Sequence, residues 1–363
     1  MNTKHIYLGL LGAALVFMAA SCSSNQTEGE KILKQSDFPA PPVAEVHPDT
    51  FVNFGKQRID NYYWMKDKTN PKVIEYIKAE NAYTDTVMAS TRDLQQKIYD
   101  EILGRIKEDD ESYPTYDDGY YYYSRTEKGK QYRTYCRRKG SMDAPEEVIF
   151  DVNKLAAGKQ AFIFRGYIIS PDNSKAAYFY NETGSYAEFT MKVRDLASGQ
   201  DVGFTVEGAA SVAWANDNRT LFYSAIDHTL RSSKIFRREL DAAEGTLVYE
   251  EKDAKFSTYV SATKTKQFIF ITCGSSTTSD ERYISADRPT DPFKVFLPRT
   301  KDVEYNVYAH ADRFFIRYKD KEHLNGLIYE APLTGYEDRK TWKEFLPYDK
   351  DVRIEALDVL KDY

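Results

Sequence analysis

The clearest hydrophobic pattern in the chain lies between Tyr167 and Tyr180, where two apolar stretches flank a short polar one. This stretch reads YIISPDNSKAAYFY. Apolar and aromatic residues favour strands, Pro171 fixes the backbone at a corner, and Asp172 and Asn173 tolerate the conformations of a tight turn. The pattern therefore predicts a β-hairpin. Because a lone hairpin cannot bury its own apolar face, further strands must pack against it.

The same order of apolar strand, polar turn and aromatic strand returns at residues 211–223, 258–271 and 305–318. Equivalent positions follow one another at spacings of 48, 44, 47, 46 and 49 residues, at Tyr120, Ile168, Val212, Tyr259, Tyr305 and Ile354. A period of about 40 to 50 residues with several strands per unit is typical of β-propeller blades. The sequence predicts a mainly β fold, with a propeller over residues 113–363 that comprises about five blades and the start of a sixth.

Helical periodicity precedes the repeats, in a predicted N-terminal extension over residues 37–112. Asn70 and Pro71 are a favourable N-cap and first helical residue, and they predict a helix from Lys72 to Met88. The segment 90–93, Ser-Thr-Arg-Asp, resembles a capping box and predicts a second helix that ends near Ile106. In this second predicted helix every fourth residue is apolar, at Leu94, Ile98, Ile102 and Ile106. Such a stripe is typical of a packing surface.

The first residues have the features of a bacterial export signal. Lys4 and His5 precede an apolar run from Ile6 to Ala20, which is short for a membrane span. The following Cys22 completes a lipobox-like Ala-Ala-Ser-Cys, in which Ala replaces the usual leading Leu. We predict a lipoprotein signal over residues 1–21, lipid attachment at Cys22, and a flexible polar linker over residues 22–36. The alternative is an ordinary secretory signal and a soluble periplasmic protein.

Composition limits the classes of partner. The chain of 363 residues is 42% hydrophobic, has 29 Tyr and 20 Phe, and carries a formal charge of −6. Its charged residues are interspersed and form no basic stripe, which argues against a nucleic-acid partner. Cys136 and Cys273 lie in different repeats. A disulfide between them is one alternative, and two buried free thiols are the favoured one.

No recognisable catalytic constellation accompanies the repeats. The sequence contains no Gly-x-Ser-x-Gly elbow, no His-Glu-x-x-His and no phosphate-binding loop. The acidic groups at residues 109–111 and 117–118 lack calcium-loop spacing and are interpreted as solvated turns. The remaining histidines are interpreted as loop or surface residues, at His47, His228, His310 and His323. We therefore predict no catalytic residue, metal site or cofactor in this sequence.

Seven stretches resemble the N-terminal part of the oligopeptidase B branch of the prolyl oligopeptidase family of serine peptidases. They occur in the same order as in the family, between residue 37 and the end. They are RIDNYYWMKD at 58–67, ENAY at 80–83, ISPDNSKAA at 169–177, WANDNRTLFY at 214–223, LVYEEKD at 247–253, GSSTTSDER at 274–282 and VFLPRTKDVEY at 295–305. The resemblance implies an N-terminal extension, a seven-bladed propeller and a C-terminal α/β-hydrolase domain. The hydrolase domain would hold the catalytic Ser, Asp and His and the acidic residues that select Arg or Lys in short peptides.

The sequence departs from that family pattern at both ends. It ends before the final blades and the hydrolase domain, and it begins with a lipoprotein-like leader. The leading hypothesis is a truncated oligopeptidase B-like protein that contributes the substrate-gating propeller and does not hydrolyse peptides by itself. The alternative is a non-catalytic, lipid-anchored propeller that binds peptides or proteins. A third hypothesis is that a separately encoded hydrolase domain completes the enzyme.

Overall fold

A computed structural model describes residues 38–360 of the chain. The predicted signal, Cys22 and the predicted linker lie outside the described residues. The chain divides into two compact units, with the boundary between Lys107 and Glu108.

The described part of the first unit, residues 38–107, contains a hairpin followed by two α-helices. Its elements are β1 (Asp49–Asn53), β2 (Lys56–Asp60), a 3-10 turn (Tyr63–Lys66), α1 (Pro71–Met88), a 3-10 turn (Ala89–Thr91) and α2 (Arg92–Gly104). The predicted N-cap is confirmed, because the Asn70 side chain accepts the Lys72 backbone N–H at 3.0 Å. The predicted capping box is wrong, because the N-cap of α2 is Thr91, and it forms no capping hydrogen bond.

The apolar stripe of α2 lies on the surface of its unit. Leu94, Ile98 and Ile102 are each about half exposed, at 56%, 47% and 56%. The helix ends at Gly104, so Ile106 follows it rather than completing it. In α1 only Val73 is buried.

The second unit consists of five antiparallel sheets, numbered here 1 to 5 in chain order. Sheet 1 contains β3 (Asp110–Glu111), β4 (Thr115–Asp117), β5 (Tyr120–Thr126), β6 (Thr134–Lys139) and β7 (Glu147–Asp151), and a short helix, α3 (Val152–Ala156), follows it. Sheet 2 contains β8 (Ile163–Ile169), β9 (Lys175–Asn181), β10 (Thr190–Asp195) and β11 (Asp201–Val206). Sheet 3 contains β12 (Ala209–Trp214), β13 (Thr220–Ile226), β14 (Ser232–Glu239) and β15 (Thr246–Glu250).

Sheets 4 and 5 repeat the same meander. Sheet 4 contains β16 (Ser257–Ala262), β17 (Phe268–Gly274), β18 (Ser279–Ser285) and β19 (Lys294–Val295). Sheet 5 contains β20 (Glu304–His310), β21 (Arg313–Lys319), β22 (Leu327–Pro332) and β23 (Lys343–Leu346), with a 3-10 turn (Arg339–Thr341) before its last strand. Each sheet pairs its strands in chain order, except that β3 and β4 share the same edge of β5. The mainly β, propeller-type fold predicted from the repeat is therefore confirmed.

The second strands of the sheets supply much of the core. Phe222 in β13, Ile271 in β17 and Phe314 in β21 are all fully buried. In β13 and β17 five consecutive residues are buried, as expected for strands covered on both faces, whereas buried and half-buried residues alternate in β21 of sheet 5. This burial explains why the aromatic half of each hairpin was the strongest signal in the sequence.

Two of the equivalent positions from which the repeat spacing was measured do not lie in the first strand of a sheet. Ile168, Val212, Tyr259 and Tyr305 lie in first strands, but Tyr120 begins β5, the third of the five strands of sheet 1. Ile354 lies in an extended segment that forms no strand in the described residues. This segment is held on sheet 5 because the Ile354 N–H donates to the Asn325 carbonyl at 2.9 Å.

Candidate functional site in the propeller channel

The first strands of the sheets lie side by side and form the wall of a channel. Trp214 in β12 donates its indole N–H to the Ile168 carbonyl in β8 at 3.1 Å. The Ser211 hydroxyl in β12 accepts the Val260 N–H of β16 at 2.9 Å. These bonds join sheets 2, 3 and 4 along their first strands. The channel is therefore bordered by β8, β12 and β16, where Ile168 and Tyr259 are about half exposed.

One end of this channel, called here the turn end, is built from the turns between first and second strands. One non-glycine residue in each turn has a positive φ: Asp118 (48°), Asn173 (63°), Asn218 (57°), Lys266 (57°) and Ala311 (51°). Asp and Asn adopt this left-handed conformation more readily than other non-glycine residues. The turns of all five sheets therefore share one left-handed non-glycine residue, although the turns of sheets 2, 3 and 4 have five residues and those of sheets 1 and 5 have two.

Side chains of these turns bind the turns of other sheets. The Asn173 amide of sheet 2 donates to the Asp118 carboxylate of sheet 1 at 3.0 Å. The Asn218 side chain of sheet 3 accepts the Asp172 N–H of sheet 2 at 2.8 Å. Gln267 of sheet 4 donates to the Ala311 carbonyl of sheet 5 at 2.9 Å. Residues 117–118 are exposed and Asp118 lies in a turn, as predicted, but the Asp118 carboxylate also joins two sheets, which the sequence did not indicate.

A cavity of about 290 Å³ lies farther along the channel wall, between β16, β20 and the segment Leu357–Leu360. Half-exposed Tyr259 and the polar side chain of Asn306 line it. The buried carboxyl of Glu281, in β18, also reaches this cavity. The cavity therefore offers both aromatic and hydrogen-bonding groups to a ligand in the channel.

Glu281 is held by donors from two sheets. Its carboxyl accepts the Val307 N–H at 2.9 Å, the Asn306 amide at 3.3 Å and the Thr272 hydroxyl at 3.2 Å. Burial raises the pKa of Glu281 to about 8, and the donors oppose that shift. This carboxyl connects sheet 4 to the first strand of sheet 5.

A second set of charged groups joins sheet 4 to Glu251, the residue that follows the last strand of sheet 3. The Arg299 guanidinium binds the carboxylates of Asp280 and Glu251 and lies 3.8 Å from the Phe256 ring centre. Arg282 also binds Asp280. Each carboxylate is nearly inaccessible to solvent and has a cationic partner, so this network is a structural tie.

A second cavity of about 570 Å³ lies between sheets 2 and 3, and its lining is acidic. The carboxylates there belong to Glu182, Glu188, Glu207 and Asp227. Glu182 binds Lys159. Hydrogen bonds, the strongest from the Thr229 hydroxyl, together with the Arg231 charge lower the pKa of Asp227 to about 2. These four side chains give the cavity an acidic lining.

The cysteines match the favoured prediction, because Cys136 and Cys273 are both buried and free. Burial raises the pKa of each thiol to about 11, so neither is a reactive thiolate at neutral pH. Two histidines lie beside carboxylates, His47 next to Glu45 and His323 next to Asp320.

Within residues 38–360, no group of three or more His, Cys, Asp or Glu side chains could hold a metal ion. Over the same described stretch, no helix is long and apolar enough to span a membrane.

The sequence did not predict the hydrogen bonds that join Glu281 to sheet 5, nor the contacts between the turns of different sheets. The signal for the turns was present, since Asp and Asn recur at their corners. Nothing local marks Glu281, whose partners lie 9 to 26 residues away in other strands.

Comparison with known proteins agrees with this geometry. Residues 41–363 match the prolyl oligopeptidase N-terminal β-propeller domain. Dipeptidyl aminopeptidase BI of Pseudoxanthomonas mexicana is 34% identical over 98% of this chain and 50% of its own length. Protease 2 of Moraxella lacunata is 28% identical, over 85% of this chain and 47% of that protein.

A solved structure gives the same result. Oligopeptidase B from Leishmania major superposes with a TM-score of 0.80 and 26% identity, covering 87% of this chain and 47% of that one. The chain thus spans about half the length of the curated relatives it matches. By its sequence and its five-sheet architecture, the chain belongs to the prolyl oligopeptidase family and carries that family's N-terminal β-propeller domain.

Proposed function

We propose that this chain is the substrate-gating propeller of an oligopeptidase B-like serine peptidase. The observation that carries the proposal is the family match over residues 41–363, together with a channel whose turn end is held by contacts between sheets. A channel closed in this way admits extended peptides and excludes folded proteins. The reaction would be hydrolysis of short peptides by a Ser nucleophile with a His base and an Asp partner.

The catalytic groups would come from an α/β-hydrolase domain that meets the propeller. This sequence contains no Gly-x-Ser-x-Gly elbow, and His47 and His323 each lie beside a carboxylate only two or three positions away in sequence. The hydrolase domain is supplied either by a separately encoded partner or by further residues of the same polypeptide. The propeller contributes access control, and the hydrolase contributes bond cleavage.

A preference for peptides with Arg or Lys is supported by the acidic lining of the cavity between sheets 2 and 3. Glu188 and Glu207 line it, and no ion pair to either side chain is found in the described residues. Carboxylates in a concave surface attract cationic side chains through the local potential. We propose that this surface draws basic peptides toward the channel.

The N-terminal sequence supports export and lipid anchoring through Cys22, on the periplasmic or the cell-surface side of a membrane. Growth with an alkyne-tagged fatty acid tests this assignment. Incorporation into the wild-type chain and its loss in Cys22→Ala are expected. No incorporation in either protein would instead favour a soluble periplasmic protein, and equal incorporation in both would overturn Cys22 as the attachment site.

The catalytic assignment is tested with an Arg-coumarin substrate and a serine-directed phosphonate. The purified chain is expected to show neither turnover nor covalent labelling, and turnover should appear when the hydrolase domain of a relative is added. Specific turnover accompanied by labelling of this chain alone would overturn the proposal. A downstream reading frame that encodes further blades and a nucleophile elbow would identify the natural partner.

The second candidate is a non-catalytic, lipid-anchored propeller that binds peptides or proteins. It is favoured by the complete hydrogen bonding of the described interior, where every buried side-chain polar atom has a partner. A cooperative melt, a monodisperse monomer and saturable binding of basic peptides, with no activation by any hydrolase domain, would support it. Aggregation of the purified chain would count against it, because open sheet edges then dominate.

A further inference from the structure

We propose that Lys266 is a latch that holds the turn end of the channel closed by joining sheet 4 to sheets 1 and 2. This inference concerns the mechanics of the propeller and goes beyond the proposed function. It rests on contacts among Lys266, Asp118 and Pro171.

The first observation is the reach of the Lys266 side chain. Its ammonium lies 2.6 Å from the Asp118 carboxylate of sheet 1 and 3.0 Å from the Pro171 carbonyl of sheet 2. The residues are separated by 148 and 95 positions in sequence. Sheets 2 and 3 lie between sheets 1 and 4 in the chain, so the first of these bonds crosses the channel rather than joining neighbours.

The second observation is that the base of this side chain is fixed. The Lys266 carbonyl accepts the Asn216 amide of sheet 3 at 2.8 Å, and its N–H donates to the Thr263 carbonyl at 2.9 Å. Lys266 therefore contacts the turns of sheets 1, 2 and 3 from its position in sheet 4. Its backbone is held in place while its charged end is shared between two acceptors.

The third observation concerns the Asp118 carboxylate and the exposure of its ion pair with Lys266. Asp118 also accepts the Asn173 amide, so a single carboxylate receives donors from sheets 2 and 4. Both members of the ion pair are partly exposed, with 39% and 34% of their side chains accessible. A partly exposed ion pair is weakened by salt and can open without unfolding the sheets. These properties suit a latch better than a permanent structural tie.

Where the proposed function holds, a consequence for substrates follows from it. A peptide that enters or leaves through the turn end must separate Lys266 from Asp118. The latch would then direct substrates to one entrance. The experiment below needs no peptidase activity, so its failure and that of the proposed function can be told apart.

The test is hydrogen–deuterium exchange of the full chain, followed in peptides that cover residues 117–120 and 170–175. Lys266→Met keeps the length of the side chain and removes its charge. We expect about two- to fivefold faster exchange in both turns, which is the range for a partly exposed ion pair. Lys264→Met is the matched control, since Lys264 lies in the same turn and has no ion pair in the described structure.

Three further measurements separate a latch from a local effect. Asp118→Asn, which suits the left-handed backbone, should speed exchange like Lys266→Met, and the double variant should add nothing more. Lys266→Arg should retain protection. Raising NaCl to about 0.5 M should move the wild type toward Lys266→Met and leave the variant unchanged. The proposal is overturned if Lys266→Met matches Lys264→Met, or if exchange rises only in residues 263–268.

Discussion

The Glu281 carboxyl and the Val307 backbone N–H lie 2.9 Å apart and join sheet 4 to the first strand of sheet 5. Both residues are nearly inaccessible to bulk solvent. An unpaired buried donor costs about 1–3 kcal/mol, which makes this contact a sensitive point in the fold.

Replacing Glu281 tests that contact directly. Glu281→Ala removes the acceptor of three donors and leaves a cavity, so we expect a loss of about 2–4 kcal/mol in the free energy of unfolding. Glu281→Gln should cost less, because its oxygen can accept the Val307 N–H while its amide donates to the Thr272 hydroxyl. Urea unfolding of the three proteins measures both differences. Equal losses in the two variants would contradict this account.

The same carboxyl predicts a dependence of stability on pH. Burial raises the pKa of Glu281 to about 8, whereas an exposed Glu titrates near 4.3, so the folded state binds more protons between these values. The contribution of Glu281 to stability is thus complete below about pH 4 and is lost as the pH rises to about 8, by at most about 1.4 kcal/mol per unit.

The comparison with Glu281→Gln isolates this effect from other titrating groups, including the neighbouring Asp280. Unfolding free energies of both proteins are measured at intervals between pH 5 and pH 9. The wild type should lose stability relative to the variant as the pH rises, and the difference should level off above about pH 8. A constant difference would show that Glu281 titrates normally in the folded protein.

Arg299 provides a contrast between buried and exposed charge pairs. Arg299→Met leaves Asp280 and Glu251 buried near each other with one cation fewer, and we expect a loss of about 3–5 kcal/mol. The matched control is Arg219→Met, because Arg219 pairs with Asp241 where both side chains are more than half exposed. That change should alter stability by less than about 1 kcal/mol. Thermal and urea unfolding compare the two, and similar losses would refute the distinction.

Two glycines provide a packing test without any change in charge. A Cβ on Gly245 would lie 2.4 Å from the Tyr223 hydroxyl and 3.2 Å from the Phe236 Cβ. Gly245→Ala is therefore expected to cost about 1–3 kcal/mol through overpacking. Gly104→Ala, at the end of α2, meets nothing within 4 Å and should stabilise the chain by about 0.4–1 kcal/mol. Unfolding curves that show the same sign for both changes would rule out this explanation.

The sequence by itself determined the repeating unit of this protein. Alternating apolar and polar residues with Pro, Asp and Asn at the corners indicated the hairpins, because strand periodicity and turn geometry are local properties of the chain. Asn70 and Pro71 likewise marked the start of α1. Resemblance then identified the family, which the match over residues 41–363 confirmed.

Tertiary structure alone decided which polar residues meet. Residues 117–118 suggested nothing more than a solvated turn, yet Asp118 contacts Lys266 from a turn 148 positions away. Glu281 looked like any other strand carboxylate until sheet 5 placed the Val307 N–H beside it. Local patterns specify each hairpin because the interactions within it are short in sequence. The ties between sheets depend on how five such units curve around one channel, and no single repeat contains that information.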